Sequence, residues 1–138
     1  MAVTADQLIT VRLPGTGRLR EGLVEAGEVL YAGTAAFVDA DGYIVPTMTG
    51  PLDFAGIVRK LADNTGGADG DIKCELYTEG DFVLPLTSAA QTDVGSLLYA
   101  TDNYTFTLTS TNNSLVGVIT KLAGTGLVEC RIDIQKRA

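Results

Sequence analysis

The chain has no histidine and no tryptophan, and only two cysteines and four prolines in 138 residues. Without histidine the usual general base at neutral pH is missing, and with it the partner of a Ser or Cys nucleophile. Two cysteines without histidine cannot assemble a standard zinc site, and they are too few for a secreted domain held by disulfides. Basic residues are scarce as well. The net charge is −7, whereas a nucleic-acid binder needs a basic surface to neutralise phosphates. No apolar run approaches the roughly 20 residues that span a bilayer. The opening Met1–Asp6 lacks the basic-then-apolar layout of a secretory signal. These absences predict a protein that is not an enzyme, needs no cofactor or metal, binds neither nucleic acid nor membrane, and is made in a cytoplasm.

What is present is glycine and aliphatic residues. Sixteen glycines, 46% hydrophobic and 20% charged residues describe a globular chain and not a disordered one. No segment sustains a 3.6-residue apolar period. Short runs and alternation dominate, which reads as strands. Strands are predicted at Gln7–Leu13, Glu28–Ala32, Ala35–Val38, Tyr43–Val45, Phe54–Lys60, Ile72–Tyr77, Phe82–Leu86, Ser96–Ala100, Tyr104–Thr109, Leu115–Leu122 and Leu127–Gln135. Asp41-Gly42 marks a hairpin turn; Ala62–Asp71 reads as an exposed polar loop, and Ser88–Asp93 as the one place for a helical turn. Many short strands with frequent turns give an all-β fold, a compact β-barrel or jelly-roll-like sandwich.

Three ordered blocks repeat. Gly27–Ala32 matches Gly95–Ala100, Phe54–Ala62 matches Leu115–Ala123, and Ile72–Leu76 matches Val128–Ile132, at offsets of 68, 61 and 56. The reading is an internal duplication. Residues 1–22 form an N-terminal arm or edge strand, and 23–138 a single β domain of two related halves, about 23–86 and 87–138. Each half is a strand set unable to bury its apolar face alone, so the two are expected to complete one core in a pseudo-twofold relation. Cys74 and Cys130 fall on inward positions and read as buried thiols acting as small hydrophobes. Asp39/Asp41 and Asp69/Asp71 sit beside glycines, where Asp forms turns; neither pair belongs to a twelve-residue calcium loop. Charge is uneven: residues 1–22 carry +1, 23–118 carry −10, and 119–138 carry +2.

The blocks Glu25–Leu30, Phe54–Val58, Glu79–Leu86, Val94–Tyr99 and Leu115–Ile119, in that order, resemble the small capsid cement, or decoration, proteins of tailed phages. The resemblance spans about residues 23–135 and lies in order and spacing, because each motif alone is only glycine and aliphatic residues. It implies a compact β domain on the outer surface of the virion head, clamping adjacent copies of the major capsid protein and associating with itself as a dimer or trimer. It carries no catalytic residue. The leading segment departs from the shorter N-terminus of that family. It is read as an arm reaching over a capsid subunit, through Gln7, Ile9, Val11, Arg12, Arg18 and Arg20, or as an extra edge strand. The alternative is a carbohydrate- or receptor-binding β module of a virion, which the lack of tryptophan and the 7% aromatic content disfavour. A carboxylate-based enzyme is the third reading.

Overall fold

A computed structural model describes residues 3–7, 19–47 and 52–133. The predicted strand Gln7–Leu13 therefore falls almost wholly outside the described residues, as do Ile9, Val11, Arg12 and Arg18 of the arm. The fold is all-β, with no α-helix among the described residues: β1 (Leu19–Leu23), β2 (Val29–Leu30), β3 (Ala35–Val38), β4 (Ile44–Val45), β5 (Asp53–Val58), β6 (Ala62–Asp63), β7 (Lys73–Tyr77), β8 (Glu79–Pro85), β9 (Leu97–Asp102), β10 (Thr105–Thr107), β11 (Ser114–Gly124) and β12 (Leu127–Asp133). A single 3₁₀ turn at Gln91–Asp93 occupies the expected helical position.

Local chemistry explains the turns. Between β3 and β4, Asp39 Oδ1 accepts hydrogen bonds from the Asp41 and Tyr43 amides. Gly42 takes φ +87°, a left-handed conformation that glycine adopts without a Cβ penalty. The 62–71 segment is not the simple exposed loop expected. Ala62 and Asn64 are buried, and the Asn64 amide donates to the carbonyls of Val24, Glu25 and Ala68. A buried side-chain amide is tolerated there because backbone acceptors surround it.

The strands form two five-stranded antiparallel sheets and one small two-stranded pair, with no closed barrel among them. The first sheet runs β4-β3-β5-β7-β1, the second β10-β9-β11-β12-β8, and β2 pairs with β6. Taken in chain order within each set, the wiring is identical. Registers agree residue by residue. Phe37 pairs with Val45 and with Phe54; Tyr99 pairs with Thr107 and with Leu115. Both central ladders slip by one residue, at Ala55 and at Val116, as β-bulges do. Tyr77 pairs with Leu19 and Ile57; Arg131 pairs with Asp81 and Val118.

This pairing shifts two of the three sequence blocks. Counterparts lie 62 residues apart in β1/β8, β3/β9 and β4/β10, 61 apart in β5/β11, and 54 apart in β7/β12. Only the central block keeps its expected offset. The counterpart of β9 in the repeat is β3, not the Gly27–Ala32 segment, whose β2 pairs with β6. In β7/β12 the slip is two residues, which preserves inward–outward alternation and so left the sequence match equally good. Cys74 and Cys130 are not counterparts; Leu76 corresponds to Cys130. Because β8 belongs to the second sheet, the sheets divide the chain at Thr78 and not near residue 86.

The faces give the largest correction. Ala36, Ile44, Ala55, Val58 and Leu76 lie in one buried cluster, on the face of the first sheet covered by β2 and β6. Their counterparts Leu98, Phe106, Val116, Ile119 and Cys130 lie in the other cluster, packed on Ala35, Phe37, Phe54 and Ile57. A pseudo-twofold sandwich would bring equivalent faces together. Here unlike faces meet, so the sheets stack in the same sense, one behind the other.

Candidate functional site

Two surfaces stand out among the described residues. The first is the outer edge of the first sheet, where β1 ends the sheet. Leu19 and Leu23 are 50% and 43% exposed. A groove of about 350 Å³ runs beside them, lined by Leu19, Arg20, Glu21 and Glu75. Glu75 accepts from Arg59 at 2.6 Å and lies 3.0 Å from Lys60. Lys60 first, and then Arg59, hold its carboxyl below the usual range. An edge strand presents a row of backbone donors and acceptors to any strand that docks on it.

Near the chain's start, residues 3–7 are tied to both sheets. The Val3 amide donates to Asn103 Oδ1 at 3.1 Å, and Asn103 Nδ2 donates back to the Val3 carbonyl. The Ala32 amide donates to Asp6 Oδ1 at 2.8 Å, and the Gln7 amide donates to the Ala32 carbonyl. Gly33 has φ +83°, and a Cβ there would meet the Gln7 carbonyl at 2.5 Å, so only glycine admits this crossing. Gln7 is thus docked by its backbone, with its side chain bonded to the Ala5 carbonyl. It is not part of a free reaching arm. Arg20 is exposed on β1.

The second surface is the outer face of the second sheet. Leu97 and Val118, paired across β9 and β11, are 44% and 38% exposed, and Leu127 is 38% exposed. With Leu115, Gly117, Arg131 and Asp133, the first two line a recess of about 290 Å³. Arg131 grips Asp81 in a two-point contact, with Nη2 2.9 Å from Oδ2 and Nε on Oδ1. Asp81 is only 8% exposed, so this pair is half desolvated and geometrically fixed.

Of the carboxylates considered from the sequence, Asp39 and Asp71 bond within their own turns, and Asp69 reaches across to the β1–β2 connection. Besides Asp39, Asp69 Oδ1 accepts from the Ala26 amide and Asp71 Oδ2 from the Ala68 amide. The Glu25 carboxyl is raised by desolvation and by the nearby charges of Asp39, Glu28 and Asp69. Among the described residues no group of three or more His, Cys, Asp or Glu is arranged to hold a metal ion. Cys74 and Cys130 are buried and free, in different clusters.

Sequence alternation identified the wet face of β12 through Glu129, Arg131 and Asp133, but missed the apolar patch beside it. The bulge at Val116 is the reason. It puts Leu115 and Val118, three residues apart, on one face, where strict alternation puts them on opposite faces. No protein-family model matches the chain, and no curated protein matches it.

Proposed function

We propose that this protein is a capsid cement, or decoration, protein that sits on the outer surface of a tailed-phage head and clamps adjacent major capsid subunits. The β1 edge carries this reading: among the described residues Leu19–Leu23 pairs only with β7, Leu19 and Leu23 are exposed, and the edge is met only beyond its end, where Val24 bridges Ile44 of β4. A rigid sheet with one open, partly apolar edge suits strand addition by a neighbouring polypeptide, which needs contacts and no chemistry. The ordered glycine-centred blocks that resemble the cement proteins support the same reading. On this view the protein is made in the host cytoplasm, joins the virion from outside and acts as a dimer or trimer, so that several weak contacts act together.

The test is co-sedimentation with empty heads of the phage that encodes it, before and after shell expansion. Saturable binding at a fixed number of copies per capsid subunit is expected, and loss of binding in Leu19→Lys/Leu23→Lys. These substitutions are cleaner than removing Met1–Arg20, because that deletion takes the Val3–Gln7 clasp and the first residues of β1 with it. A folded protein that binds neither form of the shell overturns the proposal.

A further inference from the structure

We infer that the β1 edge takes a short, acidic, extended peptide segment whose side chains alternate apolar and carboxylate. The inference deepens the strand-addition reading and rests on it for the place; the chemistry of the guest comes from charge. Residues 23–118 carry thirteen acidic and only three basic side chains, three minus thirteen being −10. Those three, Arg59, Lys60 and Lys73, all stand at the β1 side of the first sheet, around Glu75 and Glu21. Glu75 lies 2.6 Å from Arg59 and 3.0 Å from Lys60, so one carboxylate serves two cations and leaves one charge over. Glu21 approaches Lys73 to 3.9 Å and balances it. Arg20 lines the same groove, and no acid is paired with it among the described residues. Four bases and two acids make this patch +2 on a chain of −7. Acids close by in sequence are engaged elsewhere: Asp63 accepts from Thr65 and Asp71 from the Ala68 amide, and Glu79 lies on the second sheet in register with Asp133. The other described bases, Lys121 and Arg131, are also on the second sheet, where Arg131 is held by Asp81.

The backbone fixes how the guest lies. The Val24 amide donates to the Ile72 carbonyl, and the Arg59 amide to the Glu75 carbonyl. With the registers of β1 and β5 on β7, this turns the backbone groups of Arg20 and Gly22 toward β7 and those of Leu19 and Glu21 outward. Beyond them the edge closes, because Val24 bridges Ile44 and the Ile44 side chain fills the space beside Gly22. A guest strand therefore pairs with at most the five residues of β1, a length of about 17 Å. Its side chains fall alternately on the two faces of the sheet. One set meets Leu19 and Leu23, both exposed; the other meets Arg20. Carboxylates in that second set gain a cross-strand pair with Arg20, whereas cations there would be opposed. Arg59, Lys60 and Lys73 extend the positive field over the same edge. A nucleic acid would gain nothing from the two leucines and would be repelled by the acidic body.

Amide chemical shifts of the isotope-labelled full chain, titrated with three capped pentapeptides, test this. The probes are Val-Asp-Val-Asp-Val, its threonine analogue Val-Thr-Val-Thr-Val and its lysine analogue Val-Lys-Val-Lys-Val. The acidic peptide should shift the amides of Leu19, Glu21 and Leu23 and bind about threefold to tenfold tighter than the threonine peptide, as one or two exposed ion pairs allow. The lysine peptide should bind more weakly than either. Arg20→Gln/Lys60→Gln should bring the acidic peptide to the affinity of the threonine peptide, and so should about 0.5 M NaCl. Both side chains are exposed, and the amide spectrum itself shows that the fold is kept. Equal affinity for the acidic and threonine peptides overturns the inference, as does tighter binding of the lysine peptide or binding of none. An octathymidylate that shifts the same amides at lower concentration than the acidic peptide overturns it in favour of nucleic acid. Co-sedimentation separates this from the capsid reading. Heads that lose Leu19→Lys/Leu23→Lys but keep Arg20→Gln/Lys60→Gln sustain that reading and overturn the acidic guest. Selective binding of the acidic peptide by a chain that ignores the heads does the reverse.

Discussion

The two large sheets share one wiring and differ in how many of their faces are dry. In the first sheet, Ala36 and Ala55 sit where the second has Leu98 and Val116, and all four are buried. The small residues face the thin cover of β2 and β6; the larger ones fill the thicker space between sheets. On the opposite faces, Phe37 and Tyr77 of the first sheet correspond to Tyr99 and Arg131 of the second. The first sheet uses its aromatics for packing, with the Tyr77 and Phe82 rings 5.5 Å apart. The second keeps polar tips at the same places. Identical hydrogen-bond topology thus leaves burial to be set by what lies on either side. Side-chain size follows the space available, as close packing requires.

The sharpest way to break this comparison is to make the same deletion in both sheets. Ile57→Ala removes a side chain that is 1% exposed in the main core and should cost about 2–5 kcal/mol. Val118→Ala, at the counterpart position, should cost about 0.5–1 kcal/mol. Urea unfolding measures both. Equal losses would mean that the outer face of the second sheet is covered within a single chain.

The bulge glycines come next. A Cβ on Gly56 would meet the Tyr77 carbonyl at 2.5 Å, and Gly56 also has φ +144°. Gly117, its counterpart, would press a Cβ on the Arg131 carbonyl and on Cys130 Sγ, the latter at 2.9 Å. Gly56→Ala should therefore cost about 3 kcal/mol from clash plus backbone strain, and Gly117→Ala about 2 kcal/mol from clash alone. Thermal unfolding ranks the two, and the reverse order would show that the second ladder is the less yielding one.

How far all this was legible in the sequence depends on period. Strands with regular alternation, such as β7 and β12, and turns with a chemical signature, such as Asp39–Gly42, were readable because local rules govern them. The repeat was readable only where Phe54–Val58 and Leu115–Ile119 share the glycine that the bulge demands. Its outer blocks were misaligned because a two-residue slip leaves inward and outward residues unchanged, and because Leu-Tyr-Ala recurs in a segment that pairs elsewhere. The stacking sense of the sheets, and hence the open face, depends on which face meets which. No local pattern in the chain encodes that.

A smaller effect tests the wet face itself. Arg131 stands where the first sheet has Tyr77, and it holds the nearly buried Asp81. Arg131→Met keeps the stem that packs on the sheet and removes the charge, leaving Asp81 without its two-point partner. A loss of about 1–2 kcal/mol is expected by urea unfolding. No loss would place Asp81 in contact with water despite its low exposure.

The smallest effect is silent at neutral pH and concerns the two thiols, one in each cluster. Burial raises Cys74 from the ordinary value of 9.0 to about 11, opposed by the Gly22 backbone and by the Arg20 charge. Burial, helped by the nearby Asp81 charge, pushes Cys130 up to about 12. In both cases the folded chain holds the thiol proton more tightly than the unfolded chain does. Between the unfolded and folded values the native state therefore binds more protons, so stability must fall as pH rises. The thiol contribution is complete below about pH 9 and is lost progressively as pH climbs through 9 toward 11 and 12. Urea unfolding of the wild type should show this alkaline descent, and Cys130→Ala should flatten it more than Cys74→Ala, whatever each substitution does to the baseline. The same order should govern chemistry: iodoacetamide at pH 8 should label Cys74 before Cys130, because the thiolate is the reacting species. Equal slopes in both variants would mean that the cluster between the sheets is no drier than the one beneath β2 and β6, and the contrast between the two layers would then rest on side-chain size alone.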